Sequence, residues 1–194
     1  MKPLVLSIFA LMALGACGQT VATAPQTDIG AETNAADGCA VSVTTPWRPL
    51  SGVEFKTTAT TIGATCAEAT ATLRISYGAD QTLYSQDFPT AQVMVLAPAQ
   101  DNAEMETALT EWLDQSRNVM PTTAQLPPWP AGAAQPAAGE FPFYPEEGVT
   151  QAAYEAWRRT GAPMFCFVQG MESMACLAWR DGAMTKIGVQ SFPG

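Results

Sequence analysis

The chain has 194 residues, 47% of them hydrophobic and 14% charged, with no histidine and a formal net charge of −9. The missing histidine excludes Ser–His and Cys–His nucleophilic catalysis, HExxH zinc sites and the usual histidine-bearing metal cages. The acidic residues are scattered and outnumber the basic ones eighteen to nine, which argues against nucleic-acid binding, since phosphate contacts need clustered cations.

Lys2 supplies one positive charge, and Leu4 to Leu14 follows with only Ser7 polar. As a helix this run spans about 16 Å, half of a bilayer core of about 30 Å. It is too short for a stable span and suits the apolar region of a secretory signal. Leu14-Gly15-Ala16-Cys17 then places two small residues between a leucine and a cysteine. This order resembles the lipobox of bacterial lipoproteins, and the resemblance is confined to residues 1–17. It implies cleavage before Cys17, diacylglycerol on the Cys17 sulfur and acylation of the new amino group. Gly18, rather than Asp, follows the cysteine, which by the enterobacterial rule implies an outer-membrane address facing the periplasm. Residues 1–16 are thus expected to be the signal peptide, and the chain from Cys17 onward to meet the membrane through a lipid anchor.

Residues 17–38 carry no aromatic side chain and are rich in Ala, Thr, Gly, Asp and Asn. Such a composition buries too little surface to offset the entropy of ordering. It predicts a tether of about 20 residues with a reach of roughly 25 Å. Residues 39–194 remain for one globular domain, long enough to bury a core.

Four cysteines lie in that domain: Cys39, Cys66, Cys166 and Cys176. An even number in an exported domain predicts two disulfides, for which three connectivities exist. The sequence-local pairing, Cys39–Cys66 with Cys166–Cys176, is the one expected here. The chain-entropy model assigns it about 3.6 and 2.8 kcal/mol for the two loops. There is no CxxC, so a thioredoxin-like redox site has no support.

Val53, Phe55, Thr57 and Ala59 alternate with Glu54, Lys56 and Thr58, and Thr70–Tyr77 alternates in the same way. Both have the period of half-buried strands. Gly78-Ala79-Asp80 is turn material before a returning strand, Thr82–Phe88, and the valine-rich run Gln92–Leu96 reads as a further strand. Next, Asp101 stands as N-cap with Glu104 three residues on. Met105, Ala108, Leu109, Trp112 and Leu113 form one apolar helix face that belongs to the core, with Glu106, Thr110 and Glu111 elsewhere.

The segment 120–148 holds seven prolines, which rule out helix interior and central strand. Trp129, Phe141, Phe143 and Tyr144 are interleaved with them. These aromatics favour a crossover packed on the domain over a free polyproline strap. Were the strap exposed, they would be the partner-binding candidates. Thr150 caps a short helix, Gln151–Thr160, with Val149 and Tyr154 at the staple positions and Gly161 as its stop.

The chain closes with three strands, Pro163–Val168, Met174–Arg180 and Ala183–Val189, the last two joined by Asp181-Gly182, a two-residue hairpin signal. If Val168 faces Met174, Cys166 faces Cys176 within disulfide reach. Phe165, Phe167, Ala175, Leu177 and Trp179 share one face of this hairpin; Val168 and Met174 share the other with the cysteines. Both faces therefore need cover, and the helix carrying Tyr154 and Trp157 is expected over one of them.

The fold class expected is α+β: a single domain with antiparallel meanders, two short helices, a Pro-rich crossover and two disulfides. GxSxG, GxGxxG and P-loop motifs are absent. No catalytic, cofactor or metal site is expected. Met171 and Met174 would suit Cu(I) only if the neighbouring cysteines were free thiols. The leading expectation is a non-catalytic envelope lipoprotein that binds another envelope protein or a wall or membrane component. The alternative is a histidine-free envelope hydrolase using paired carboxylates, with Glu146-Glu147 as the most suggestive pair.

Overall fold

In the computed structural model the described residues are 38–78 and 81–192. The lipobox, Cys17 and the expected tether up to residue 37 lie outside them. The described residues form one α+β domain with two four-stranded antiparallel sheets and two helices. No described helix is long and apolar enough to cross a membrane.

The first sheet is a meander of β1 (Ser42–Leu50), β2 (Val53–Ile62), β3 (Thr70–Tyr77) and β4 (Gln81–Pro89) in sequence order. Alternation in β2 sends Phe55, Thr57, Ala59 and Thr61 inward, and β3 adds Ala71, Leu73 and Ile75. β1 was not legible from the sequence because Pro46 and Pro49 argue against a ladder strand. It is an edge strand, the place where a missing N–H is tolerated. The run Gln92–Leu96 is not a strand. Thr90–Gln92 forms a 3-10 turn and successive turns follow, with Val93 and Leu96 buried as anchors. A strand and a tight turn that buries two of its apolar side chains look alike in a five-residue apolar window.

α1 (Asn102–Leu113) follows, and the Asp101 carboxylate accepts from the N–H groups of Ala103 and Glu104. Glu104 reaches back one residue further than a standard capping box and accepts the Gln100 N–H at 2.8 Å. All five residues of the predicted stripe are buried. α1 packs on β1, β2 and β6 and so closes one flank between the sheets.

The second sheet has the order β5-β8-β7-β6, from β5 (Phe143–Pro145), β6 (Met164–Val168), β7 (Ser173–Arg180) and β8 (Ala183–Ser191). Asp181 and Gly182 both take positive φ, 54° and 79°, as the two-residue hairpin between β7 and β8 requires. β5 comes from the Pro-rich segment and adds to the outer edge of β8. Gly188 makes that possible: a Cβ there would lie 2.4 Å from the Tyr144 carbonyl oxygen and 2.5 Å from the Phe143 ring.

The faces of the second sheet serve two cores. Phe165, Phe167, Ala175 and Leu177 meet the first sheet and α1. Trp47 lies against Phe165 at 5.4 Å, Phe55 against Trp179 at 5.2 Å, and Phe88 and Trp112 against Phe167 at 5.6 and 6.0 Å. The opposite face carries Met164, Cys166, Cys176, Ala178 and Ile187. It is covered by Tyr154 of α2 (Gln151–Thr160) together with Met120, Leu126 and Phe143, as a hairpin apolar on both sides demands. Val168 departs from the expected division, because at the strand end it packs with the first core.

Both disulfides are the sequence-local ones, Cys39–Cys66 and Cys166–Cys176. Cys166 faces Cys176 and Val168 faces Met174, with the two cysteine Cα atoms 4.1 Å apart. The N–H and C=O of Cys166 both point away from β7, which makes this a non-hydrogen-bonded pair, the closer of the two antiparallel pair types.

Candidate functional site

The Pro-rich segment splits into a packed and an exposed part. The Trp129 ring stands 5.5 Å from Tyr154 and Phe143 lies 6.1 Å from it, both at the second core. Phe143 is buried, whereas Phe141 and Tyr144 are exposed at 43% and 47%. The four candidates therefore form no common surface. The Trp129 backbone N–H donates to Glu155 at 2.8 Å, and that hydrogen bond is the main reason the Glu155 carboxyl titrates below its ordinary range. Arg158 donates to the other Glu155 oxygen and to the Leu126 carbonyl. Burial pushes the Tyr154 hydroxyl well above its ordinary pKa, and it donates to the Pro127 carbonyl.

Of the suggestive carboxylate pair, Glu146 is engaged by Lys186 at 3.2 Å and Glu147 is exposed. Among the described residues, no group of three or more acidic or cysteine side chains is placed to hold a metal ion.

A well-formed concave feature among the described residues lies elsewhere. It is a groove of about 780 Å³ between the outer side of α1 and the β6–β7 hairpin. Three stretches distant in sequence build it: Met94 and Val95 from the turns after β4, residues 106–119 of α1 and the loop beyond, and Cys166–Val168 with Met174. Its floor is apolar, with Phe167 and Trp112 buried beneath and Val168 and Met174 half-buried. Met94 and Val119 stand at its margins, 42% and 72% exposed.

Glu106, Glu111 and Asp114 line the groove with one base, Arg117. The N–H and then the hydroxyl of Ser116 donate to the Asp114 carboxylate, each at 2.8 Å, and hold its pKa below the usual range. Asp114 is therefore charged at any neutral pH.

One wall is the edge of β6, and the three carbonyls it turns outward are already taken. Trp112 Nε1 donates to the Val168 carbonyl at 2.6 Å, Gln115 Nε2 to the Cys166 carbonyl at 2.9 Å, and Asn118 Nδ2 to the Met164 carbonyl at 3.3 Å. Gln115 Oε1 accepts the Cys166 N–H, and the Pro121 carbonyl accepts the Met164 N–H. The spacing of three residues between the side-chain donors matches the two-residue step between acceptors along β6. A bare edge invites another strand; this one is capped.

The groove was not assigned from the sequence. Met94 and Val95 read as strand, Val168 and Met174 as the ends of hairpin strands, and Glu106 and Glu111 as the polar side of α1, and only the fold brings them together. No family model, no curated protein and no solved structure matches this chain.

Proposed function

We propose that this chain is a lipid-anchored protein of the bacterial cell envelope and a non-catalytic binding module for another envelope protein or for a wall or membrane component. The apolar groove beside α1 carries the binding part of this reading. Binding sites are typically concave, with an apolar floor and a few polar groups at the rim, and this groove has that make-up. Two of its walls, α1 and the disulfide-bonded β6–β7 hairpin, are regular elements, which favours a largely pre-formed site. The lipobox at Leu14–Cys17 supports the anchored part, and the absence of histidine supports a role other than the commonest hydrolytic chemistries.

Methionine oxidation in intact cells tests the binding part. Met94 and Met174 line the groove; Met171, 53% exposed, does not and serves as the internal control. Mild peroxide followed by peptide mass mapping is expected to oxidise Met171 equally in cells and in the purified chain. Met94 and Met174 are expected to be protected several-fold in cells. Equal oxidation of all three in both settings would contradict occupation of the groove.

A further inference from the structure

We propose that the groove beside α1 receives a basic amphipathic helix of a protein partner. This inference rests on the reading of the groove as the binding site and adds the chemistry of what enters it.

The floor sets the apolar half of the requirement. Met174 on the floor and Met94 at the margin offer flexible, polarisable side chains that conform to differing apolar anchors, and Val119 extends the surface outward. The rim sets the charge. Glu106, Glu111 and Asp114 stand against Arg117 alone, in a chain whose acidic residues outnumber its basic ones two to one. An acidic or neutral apolar segment seated here would desolvate these carboxylates without giving them partners, at a cost in free energy. Lys or Arg flanking the anchors would pair with them, steer the encounter and discriminate against other apolar segments.

The edge of β6 sets the mode. With Trp112, Gln115 and Asn118 hydrogen-bonded to its carbonyls, strand addition has no free acceptors to use there. A helix, which satisfies its own backbone and presents anchors at i, i+3 or i+4 and i+7, has no such need. A second copy of the chain does not meet the requirement. Its basic-ended helix α2 has Tyr154 buried in the second core, and Arg158 is committed to Glu155 and the Leu126 carbonyl.

The probe is a fluorescent peptide of about 18 residues with Leu on a helical stripe and Lys elsewhere. Two counterparts have every Lys replaced by Gln or by Glu. Each is titrated by anisotropy against the full chain in phosphatidylcholine nanodiscs, with empty discs as blank. The Lys peptide is expected to bind, and to weaken as salt rises. It is expected to weaken at least about tenfold in the Glu106→Lys/Glu111→Lys variant, whose altered side chains are solvent-exposed and whose melting temperature should match wild type. The Glu peptide is expected not to bind. Equal affinity for the Gln peptide, or undiminished Lys-peptide binding by the charge-reversed variant, would overturn the basic helix as occupant. So would failure of the Lys peptide to bind at all. In each of these cases protection of Met94 and Met174 in cells would leave the groove itself standing as the site, whereas loss of that protection would remove both.

Discussion

Replacing Cys17 by serine is expected to release the chain from the membrane fraction and to abolish its labelling by a fatty-acid analogue. The expectation follows from the resemblance of Leu14–Cys17 to a lipobox, and from an apolar run too short to hold a bilayer by itself. Each buried methylene contributes about 0.8 kcal/mol, so one acyl chain anchors marginally and two or three anchor stably. Every one of those chains depends on the Cys17 modification. No described helix offers a substitute anchor. The effect should therefore be nearly all-or-none in a fractionation with high-salt and carbonate washes. Retention of Cys17→Ser at the wild-type level would remove the lipoprotein reading.

Phe167→Ala is expected to be the most destabilising single truncation in the domain, costing about 3–5 kcal/mol. Phe167 is 2% exposed and belongs to a ring cluster that draws on both sheets and α1. Phe88 is 5.6 Å away, Trp112 and Tyr84 are each 6.0 Å away, and Phe165 is 6.2 Å away. Its regular strand neighbours and the Cys166–Cys176 bond leave little room for collapse into the void. A loss of this size is a large part of the stability of an ordinary domain. Phe167 also backs the groove, so the variant should lose ligand binding along with stability. Phe141→Ala, at an exposed position of the Pro-rich segment, should shift the urea midpoint little. Comparable losses from the two substitutions would contradict the division of aromatics between core and surface.

What could be read in advance divides along physical lines. Local signals held. The α1 stripe, its Asp101 cap, the alternation of β2 and β3 and the hairpin at Asp181-Gly182 each depend on residues within one or two turns. The Cys166–Cys176 register followed from the same locality, because a short turn fixes which residues face each other. Elements whose identity depends on a neighbour did not declare themselves. β1 is a strand because β2 pairs with one side of it and solvent accepts its prolines on the other. β5 is a strand because Gly188 leaves room for Phe143. Gln92–Leu96 is a turn because Val93 and Leu96 both find the core without extension. The groove is the extreme case: Met94, Glu111, Val119 and Met174 have no common pattern along the chain, and only the packing of α1 against the hairpin makes them neighbours. The packing of Trp129 and Phe143 was favoured by the density of aromatics among the prolines. The exposure of Phe141 and Tyr144 was not separable from it by composition.

Site-directed photo-cross-linking in living cells shows whether a specific partner occupies the groove. A photoreactive amino acid is placed at Val119, on the groove margin, and in a second strain at Ile62, 75% exposed on β2 and outside the groove. Irradiation of living cells is expected to give one dominant adduct from position 119. That adduct should be absent from position 62 and diminished when Glu106 and Glu111 are both changed to lysine. No adduct from position 119, or the same adducts from both positions, would mean that no specific partner occupies the groove.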